Sequence, residues 1–282
     1  MSKQSSIVLL LTACISPDGM SYTTVQDPSI REQAYIDSLM YYLHNTSYRI
    51  VFCNNSGEDI SYKIHDAHKR IEFLTYKGND FDRSLGKGYG EFRIMQFAFE
   101  NSQFIKAASY IIKVTGKLKV LNIKENLRLV FGLFGYRDSF LVVKRFPPPV
   151  SGSDSRCFVV NPFFLHLFLY GGGEKNLNDE KGYYFEHLLF KSVEESRKLF
   201  FLLDFPLPLQ IDGYSWTDGE KYYLPVISNV SKLKIIIDYI DDIVKKIDEG
   251  SIKLRLVLIR GLILFCLPFA RMSNFIRRSF SE

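Results

Sequence analysis

Short apolar runs alternate with segments of helical periodicity over the first half of the chain. The strands predicted from these runs are residues 7–14, 49–54, 71–75 and 111–113. The helices predicted between and after them are residues 30–44, 89–100 and 104–109. The first helix follows Asp27 and Pro28, a pair typical of a helix start. Strands that alternate with helices predict an α/β fold, with a mainly parallel, Rossmann-like sheet flanked by helices.

The middle of the chain is broken by three loop-like segments. Residues 146–153 contain three prolines and small polar residues, a composition that predicts a loop without regular structure. Glycines open the segment 171–174, which precedes a helix around residues 184–188, and turn-forming residues fill 213–219, where the only tryptophan lies. Binding sites are commonly built on such loops when a rigid sheet carries them, so we expect all three near the active face.

The C-terminal segment, residues 229–282, differs from the rest. It predicts an amphipathic helix at 231–248, a second helix at 252–265, and a basic, aromatic stretch at 269–280. Its longest uncharged run, 261–270, is much shorter than the roughly 20 apolar residues that span a bilayer. Basic and bulky apolar residues together predict a helical extension on an anionic membrane surface. A packed terminal helix or an oligomer contact is the alternative.

Composition narrows the class of protein. With 282 residues, of which 46% are hydrophobic, the chain can bury a sizeable core. A net charge of +5 and aromatic residues spread along the chain disfavour a nucleic-acid partner. The four cysteines lie far apart, which suggests neither zinc nor disulfides and fits a reducing cytoplasm. The stretch ending at Cys14 resembles a lipoprotein cleavage box, but its apolar run is shorter than the roughly 7–15 residues of a signal segment, so a buried strand is favoured.

Candidate binding residues follow from the expected sheet. Ligands of open α/β sheets bind at the carboxyl ends of the strands, which here are followed by residues 12–17, 54–57, 76–80 and 113–117. The candidates taken from these segments are Thr12, Asn54, Gly78, Asp80, Lys113, Thr115, Gly116 and Lys117. Residues 86–91 add Lys87, Gly88, Gly90 and Glu91 just before a predicted helix, where glycines and free N–H groups favour a phosphate. A plain flexible turn remains the other interpretation of residues 86–91.

Several short motifs, taken in order, resemble the small bacterial glycosyltransferases of capsule and O-antigen gene clusters. The motifs are Thr12 with Pro17, Asp27 and Pro28 with Arg31 and Tyr35, and residues 86–91, 112–117, 184–187 and 210–213. The resemblance covers roughly residues 6–225. It implies a GT-A-like fold, with a donor half at 1–145 and an acceptor and catalytic half at 146–228.

The resemblance also implies an activity. A sugar would pass from a nucleotide-sugar donor, UDP-linked by default, to a lipid-linked or oligosaccharide acceptor at the cytoplasmic face of the membrane. Arg31 joins the donor residues, while His187 and Trp216 are candidates for acceptor contact. Glu186 is the candidate base of an inverting transfer, with Asp212 as the second carboxylate. A solvated carboxylate favoured by the helix dipole is the other interpretation of Glu186.

The metal motif of the GT-A fold is not where it is expected. The place of its Asp-x-Asp motif is taken by residues 113–117, whose lysines can neutralise a departing diphosphate, so no cofactor is firmly predicted. Asp80 and Asp82 have the Asp-x-Asp spacing after an earlier strand, which leaves a divalent metal and a polar loop as alternatives. Two further classes stay open: a non-catalytic nucleotide- or sugar-binding module, and another nucleotide-dependent transferase.

Overall fold

The computed structural model describes residues 7–20, 22–64, 69–135, 140–225 and 227–246. Its strands, numbered along the chain, are β1 (Ile7–Ala13), β2 (Arg49–Asn54), β3 (Ile71–Thr75), β4 (Tyr110–Thr115), β5 (Lys119–Val120), β6 (Phe140–Val142), β7 (Arg145–Phe146), β8 (Gly152–Ser153), β9 (Cys157–Val160), β10 (Phe201–Leu203) and β11 (Ile211–Asp212). Its helices are α1 (Pro28–Asn45), α2 (Gly86–Asn101), α3 (Gln103–Lys106), α4 (Ile123–Phe134), α5 (Pro162–Tyr170), α6 (Phe185–Glu195) and α7 (Asn229–Lys246). Short 3-10 turns lie at Ser61–Lys63, Arg83–Leu85, Gly173–Asn176 and Ser196–Lys198.

A mixed sheet of seven strands carries the fold, in the order β10-β6-β9-β4-β1-β2-β3. The four strands from β3 to β4 are parallel. β9 runs antiparallel to both of its neighbours, β4 and β6, and β10 is parallel to β6. The predicted α/β class with a mainly parallel sheet flanked by helices is therefore confirmed, although the antiparallel strand was not predicted.

The two faces of the sheet are covered by different helices. Val8, Val51 and Ile111 join an apolar cluster with residues of α2, α5 and α6. Neighbouring residues along a strand point to opposite faces, so Phe52 lies on the other side, where its ring meets Tyr35 of α1 at 6.0 Å. The carboxyl ends of the central strands thus open between α1 and α2.

Most predicted elements are found, some with shifted ends. β2 and β3 have the predicted bounds, and β1 ends one residue earlier than expected. α1 begins where Asp27 predicted, because the Asp27 carboxylate accepts a 2.8 Å hydrogen bond from the Ser29 N–H. The third predicted helix, 104–109, shrinks to the four residues of α3. A helix follows residue 184 as expected, in the form of α6.

Two local predictions were wrong. The second helix was expected at Tyr89, but α2 begins at Gly86, so the glycines belong to its first turn and not to a preceding loop. Residues 146–153 were expected to lack regular structure, yet β7 and β8 pair antiparallel, with Phe146 opposite Gly152. Residues 147–151, which hold the prolines, form the turn between them.

The described residues divide into two compact units. The first contains the described parts of Met1–Leu121, Asp138–Asp204 and Gln210–Leu224, and with them the seven-stranded sheet. The second contains the described parts of Asn122–Arg137, Phe205–Leu209 and Pro225–Glu282.

The second unit has internal contacts of its own. Asn126 of α4 accepts a 2.8 Å hydrogen bond from the Leu207 N–H, and Lys232 of α7 bonds Glu125 of α4 at 3.0 Å. α7 confirms the predicted helix as far as residue 246. The predicted helix at 252–265 and the basic stretch at 269–280 lie outside the described residues. Among the described helices, none combines the length and apolar character needed to cross a bilayer.

Candidate functional site

A pocket of about 670 Å³ opens at the carboxyl ends of β1 and β4, within the first unit. α1 and α2 line it from the two faces of the sheet, through Arg31 and Tyr35 on α1 and Lys87 and Glu91 on α2. Further residues come from the β7–β8 hairpin, from the segment before β9, from the start of α6 and from residues 216–222. Of the three loop-like segments expected near the active face, residues 146–153 and 213–219 contribute to the pocket wall, and residues 171–174 do not.

Three basic side chains and Trp216 form what we call the cationic cluster: Arg31, Lys87, Lys117 and Trp216. The Arg31 guanidinium carbon and the Lys117 Nζ each lie 4.0 Å from the centre of the Trp216 ring. For the Arg31 cation, this distance is within range of a cation–π attraction. Burial, together with the charges of Arg31 and Lys87, lowers the pKa of Lys117 to about 6. A pKa near 6 favours the uncharged amine of Lys117 at neutral pH.

The loop that carries Trp216 is hydrogen-bonded to residues on two sides of the pocket. The Trp216 carbonyl accepts hydrogen bonds from the Thr24 N–H at 2.7 Å and from the Thr24 hydroxyl at 3.1 Å. Lys87 donates to the Thr217 hydroxyl, and Tyr214 bridges Lys221 within the loop. The ring of Trp216 is thus fixed against the basic side chains.

Two carboxylates, Asp179 and Glu186, form what we call the acidic pair. The Asp179 carboxylate lies against the start of α2, close to Gly86 and Gly88. Burial is the largest influence on Asp179 and raises its pKa, although the nearby N–H groups of α2 and the charge of Lys87 oppose the shift. Glu186 lies in the first turn of α6.

Close approach to Asp179 explains why α2 begins with glycines. Gly86 has φ +80°, and a Cβ added there would lie 2.1 Å from Asp179 Oδ2. A Cβ on Gly88 would lie 3.2 Å from Asp179 Oδ1 and from the backbone nitrogen of Phe185. A carboxylate of the protein therefore already lies beside the start of α2, where a phosphate was expected.

Glu186 is bound to the segment that precedes β9. The Ser155 hydroxyl donates a 2.6 Å hydrogen bond to Glu186 Oε1. The next residue, Arg156, holds Asp154 through two bonds, Nε to Oδ1 at 2.8 Å and Nη2 to Oδ2 at 2.7 Å. The Arg156 guanidinium carbon also lies 4.9 Å from the centre of the Tyr222 ring.

A buried network lies beneath the pocket floor and contains Lys113. Lys113 Nζ is fully buried and lies 2.5 Å from Glu91 Oε1. The same Glu91 oxygen accepts from the hydroxyl of Thr12 at 2.9 Å and from that of Thr115 at 3.4 Å. Glu91, Thr12 and Thr115 reach the pocket, whereas Lys113 does not.

Three buried polar atoms in the pocket wall have no hydrogen-bond partner among the described residues: Asn55 Oδ1, Asn79 Oδ1 and Ser153 Oγ. Asn79 Nδ2 donates to the Ser16 carbonyl at 3.0 Å, which fixes the orientation of its amide. An unpaired buried polar atom is unfavourable, by about 1–3 kcal/mol.

The structure brings together most of the residues selected from the sequence. Those that line the pocket are Thr12, Arg31, Lys87, Gly88, Gly90, Glu91, Thr115, Lys117, Glu186, His187 and Trp216. Those that do not are Asn54, Gly78, Asp80, Lys113, Gly116 and Asp212.

The residues away from the pocket have other contacts. Asn54 is buried and accepts from the Ile15 N–H at 3.2 Å, and Gly78 donates to the Asn55 carbonyl at 2.9 Å. Gly116 donates to the Thr12 carbonyl at 2.9 Å. Asp212 lies in β11 opposite Lys119, and Asp80 is exposed.

The two predicted acceptor residues are placed differently from each other. Trp216 contacts Arg31 and Lys117, which were assigned to the donor. His187 lines the pocket, but its Nδ1 accepts a 3.2 Å hydrogen bond from the Tyr184 N–H at the start of α6.

Sequence reasoning missed several pocket residues. Asp154, Ser155 and Arg156 follow the proline-rich turn and carry no periodic signal, and Asp179 lies in a polar stretch before α6. Asn55 and Asn79 fall inside segments selected by the strand-end rule, although neither was chosen. Among the described residues, no group of three or more His, Cys, Asp or Glu side chains is placed to share a metal ion.

The sequence matches no protein-family model and no curated protein. Among solved structures, the fold is similar to that of a putative nucleotide-diphospho-sugar transferase from Desulfovibrio desulfuricans, at 12% identity over 71% of this chain and 80% of that one, with a TM-score of 0.39. It is also similar to the galactosyltransferase LgtC, at 7% identity over 70% and 72% of the two chains, with a TM-score of 0.40. A cytidylyltransferase from Leptospira borgpetersenii matches at 13% identity over 86% and 95%, with a TM-score of 0.41. These similarities concern the fold alone.

Proposed function

We propose that the protein is a glycosyltransferase that binds a nucleotide-sugar donor with the cationic cluster and activates an acceptor hydroxyl with Glu186. The observation that carries this proposal is the presence of three basic side chains and the acidic pair in one pocket at the strand ends. A diphosphate needs the first group, and deprotonation of a hydroxyl needs a carboxylate.

The donor's diphosphate is assigned to Arg31, Lys87 and Lys117. Their charges face the same space, and burial with mutual repulsion holds the pKa of Lys117 near 6. An anion would remove the repulsion and return the proton to Lys117, so these lysines would stabilise the leaving diphosphate. The nucleoside is assigned to the part of the pocket that Asn55 and Asn79 line.

The acceptor side is assigned to the region around Glu186. Its carboxylate is fixed by Ser155, and the half-exposed Phe146, Val150 and Tyr184 surround this part of the pocket. Glu186 would accept the proton as the acceptor oxygen attacks the anomeric carbon, in the inverting reaction that a single base permits. Aromatic and aliphatic side chains near the base favour an acceptor with an apolar portion.

The finer features of the proposal rest on the sequence resemblance. It supports a UDP-linked donor, a lipid-linked or oligosaccharide acceptor of surface polysaccharide, and a place of action on the inner face of the cell membrane. The basic residues of 252–282 support that membrane contact.

A panel of nucleotide sugars tests the function. Each donor is incubated with the full-length protein and a mixture of acceptor glycans, and the released nucleotide is measured. Release of a nucleoside diphosphate from one donor supports the proposal. A second panel, of sugar 1-phosphates with nucleoside triphosphates, reads pyrophosphate. Pyrophosphate release without transfer would replace glycosyl transfer with nucleotidyl transfer, and binding without turnover in either panel would indicate a binding module.

A further inference from the structure

Ser155 connects the buried network beneath the pocket to the carboxylate of Glu186. Its side chain is 7% exposed, and its hydroxyl donates to Glu186 Oε1 at 2.6 Å. Its main-chain carbonyl accepts from Lys113 Nζ at 2.5 Å. The same residue therefore contacts a buried cation through its backbone and the carboxylate through its side chain.

Lys113 is a rigid anchor for the Ser155 carbonyl. An ammonium group has three N–H donors, and those of Lys113 meet Glu91 Oε1 at 2.5 Å, the Ser155 carbonyl at 2.5 Å and the Thr115 hydroxyl at 3.2 Å. Because Lys113 is fully buried in the middle of β4, its ammonium is shielded from solvent. The Ser155 backbone is thereby attached to the central part of the sheet.

The residues on either side of Ser155 are also held. The Arg156 carbonyl accepts from the Thr115 N–H at 3.0 Å, and the Arg156 N–H donates to Asp154 Oδ1 at 3.0 Å. A serine hydroxyl has one proton to donate, and a short bond to a carboxylate is about twice as strong as a neutral one. The bond fixes Glu186 Oε1, so Oε2 is the oxygen left to take a proton from the acceptor.

We propose that Ser155 is the positioning residue of the transfer, which holds the Glu186 carboxylate so that Oε2 faces the acceptor hydroxyl. The proposal rests on the proposed function, in which Glu186 is the base. Ser155 itself does not touch the reacting atoms. Its effect passes entirely through Glu186, and this separates it from a residue that merely supports the fold.

A double-mutant cycle tests this dependence. S155A should lower kcat about 10- to 100-fold, the effect of losing one hydrogen bond to a charged group, with the donor KM unchanged. In the E186Q background, S155A should change kcat by less than about twofold, because the carboxylate that Ser155 positions has already gone. S155T keeps the hydroxyl and should recover most of the turnover.

S38A is the matched control. Ser38 is at least as buried as Ser155 and does not line the pocket, and its hydroxyl donates to the Leu118 carbonyl at 2.9 Å. That carbonyl also accepts from Tyr42 at 3.1 Å, so S38A leaves no acceptor unpaired. The variant should keep wild-type kcat.

The outcomes separate the inference from the proposed function. If E186Q turns over normally, the general-base assignment fails, and the role of Ser155 fails with it. Three results with a slow E186Q would overturn the positioning role alone. They are normal turnover of S155A, a full additional effect of S155A in the E186Q background, and failure of S155T to restore turnover. A crystal structure of S155A provides a readout without substrate. Movement of the Glu186 carboxylate by more than about 1 Å supports the proposal, since displacements of that size affect catalysis, and an unmoved carboxylate overturns it.

Discussion

Lys117 faces the pocket with its Nζ 4.0 Å from the centre of the Trp216 ring, whereas Glu186 is bound by the buried hydroxyl of Ser155 at 2.6 Å. Arg31 is itself held by the carbonyls of Cys14 and Val25, at 2.8 and 3.0 Å. The cationic cluster gathers like charges, which repel each other. The acidic pair sits at the starts of two helices, where hydrogen-bond donors are concentrated.

The difference suggests that the cationic cluster reaches its final charge state only with a ligand bound, whereas the acidic pair is already ordered in the free protein. Lys117 has a pKa near 6 in the free protein, so we expect an anion in the pocket to increase its charge. The Glu186 carboxylate already has its orienting bond at 2.6 Å. We therefore expect changes on the acidic side to affect turnover or folding, and changes on the cationic side to affect ligand affinity and its pH dependence.

The largest effect is expected from E186Q. Glutamine keeps the shape of the side chain but cannot take a proton, so kcat should fall about 10²- to 10⁴-fold. The donor affinity should remain unchanged, because the cationic cluster is intact. Steady-state kinetics and calorimetric titration with the donor measure the two quantities. E195Q, the same change at an exposed position of the same helix, should behave as wild type. Normal turnover of E186Q would remove Glu186 from the mechanism.

The next effect concerns the fold around Asp179. G86A places a side chain at φ +80° and 2.1 Å from Asp179 Oδ2, so the free energy of unfolding should fall by about 1–3 kcal/mol from backbone strain alone. The control is G132A, in the interior of α4, where an added Cβ meets no atom within 4 Å. That substitution should raise stability by about 0.5–1 kcal/mol. Urea unfolding gives both values, and equal stability of the two variants would contradict the close packing at Gly86.

The third prediction is a pH dependence of nucleoside diphosphate binding. The free protein has Lys117 at a pKa of about 6, and a bound anion raises that pKa, so binding takes up a proton between the two values. Affinity should be highest below pH 6 and should fall by at most about tenfold per pH unit above it. Calorimetry at several pH values with UDP measures the slope, with a correction for the terminal phosphate of UDP, which also titrates at about pH 6. K117M should bind more weakly at pH 6 and keep only the part of the slope that UDP itself causes. A slope in K117M beyond that part would assign the excess to another group.

The smallest effect is expected from W216L. A cation–π contact contributes about 0.5–2 kcal/mol, so losing the ring should weaken nucleoside diphosphate binding by roughly 2- to 30-fold. Y223L is the control, because Tyr223 is 83% exposed and lies near the same loop. Calorimetry compares the two variants. Because Trp216 is the only tryptophan, wild-type fluorescence should also change on binding. Weaker binding by Y223L than by W216L would contradict the contribution of Trp216 to nucleoside diphosphate binding.

Local patterns were enough to find the central strands and α1. The apolar runs of β1, β2 and β3 are bounded by polar residues, and α1 carries its own start signal in Asp27 and Pro28. The start of α2 was misplaced because its glycines are explained by Asp179, a residue from a distant part of the chain. Such a contact leaves no trace in the local sequence.

Pocket residues could be predicted where the strand topology alone determines their position. The strand-end rule identified Thr12, Thr115 and Lys117, which the topology brings to one edge of the sheet. It also selected Lys113, whose side chain lies beneath the pocket against Glu91, because alternation along a strand does not tell which face will be covered by α2. Ser155 and Asp179 depend on how separate loops meet, and the sequence offers no rule for that.

The insertion of β9 between β4 and β6 also bears on how the chain is synthesised. The four parallel strands are complete once residue 115 has been made, yet β4 stays at the edge of that nascent sheet until residues 157–160 emerge. An apolar edge strand is a template for pairing with other chains, and a charge within it is one of the means by which proteins prevent this. Lys113 places such a charge in the middle of β4. The lysine that later anchors Ser155 would thus protect the unfinished sheet from aggregation on the ribosome.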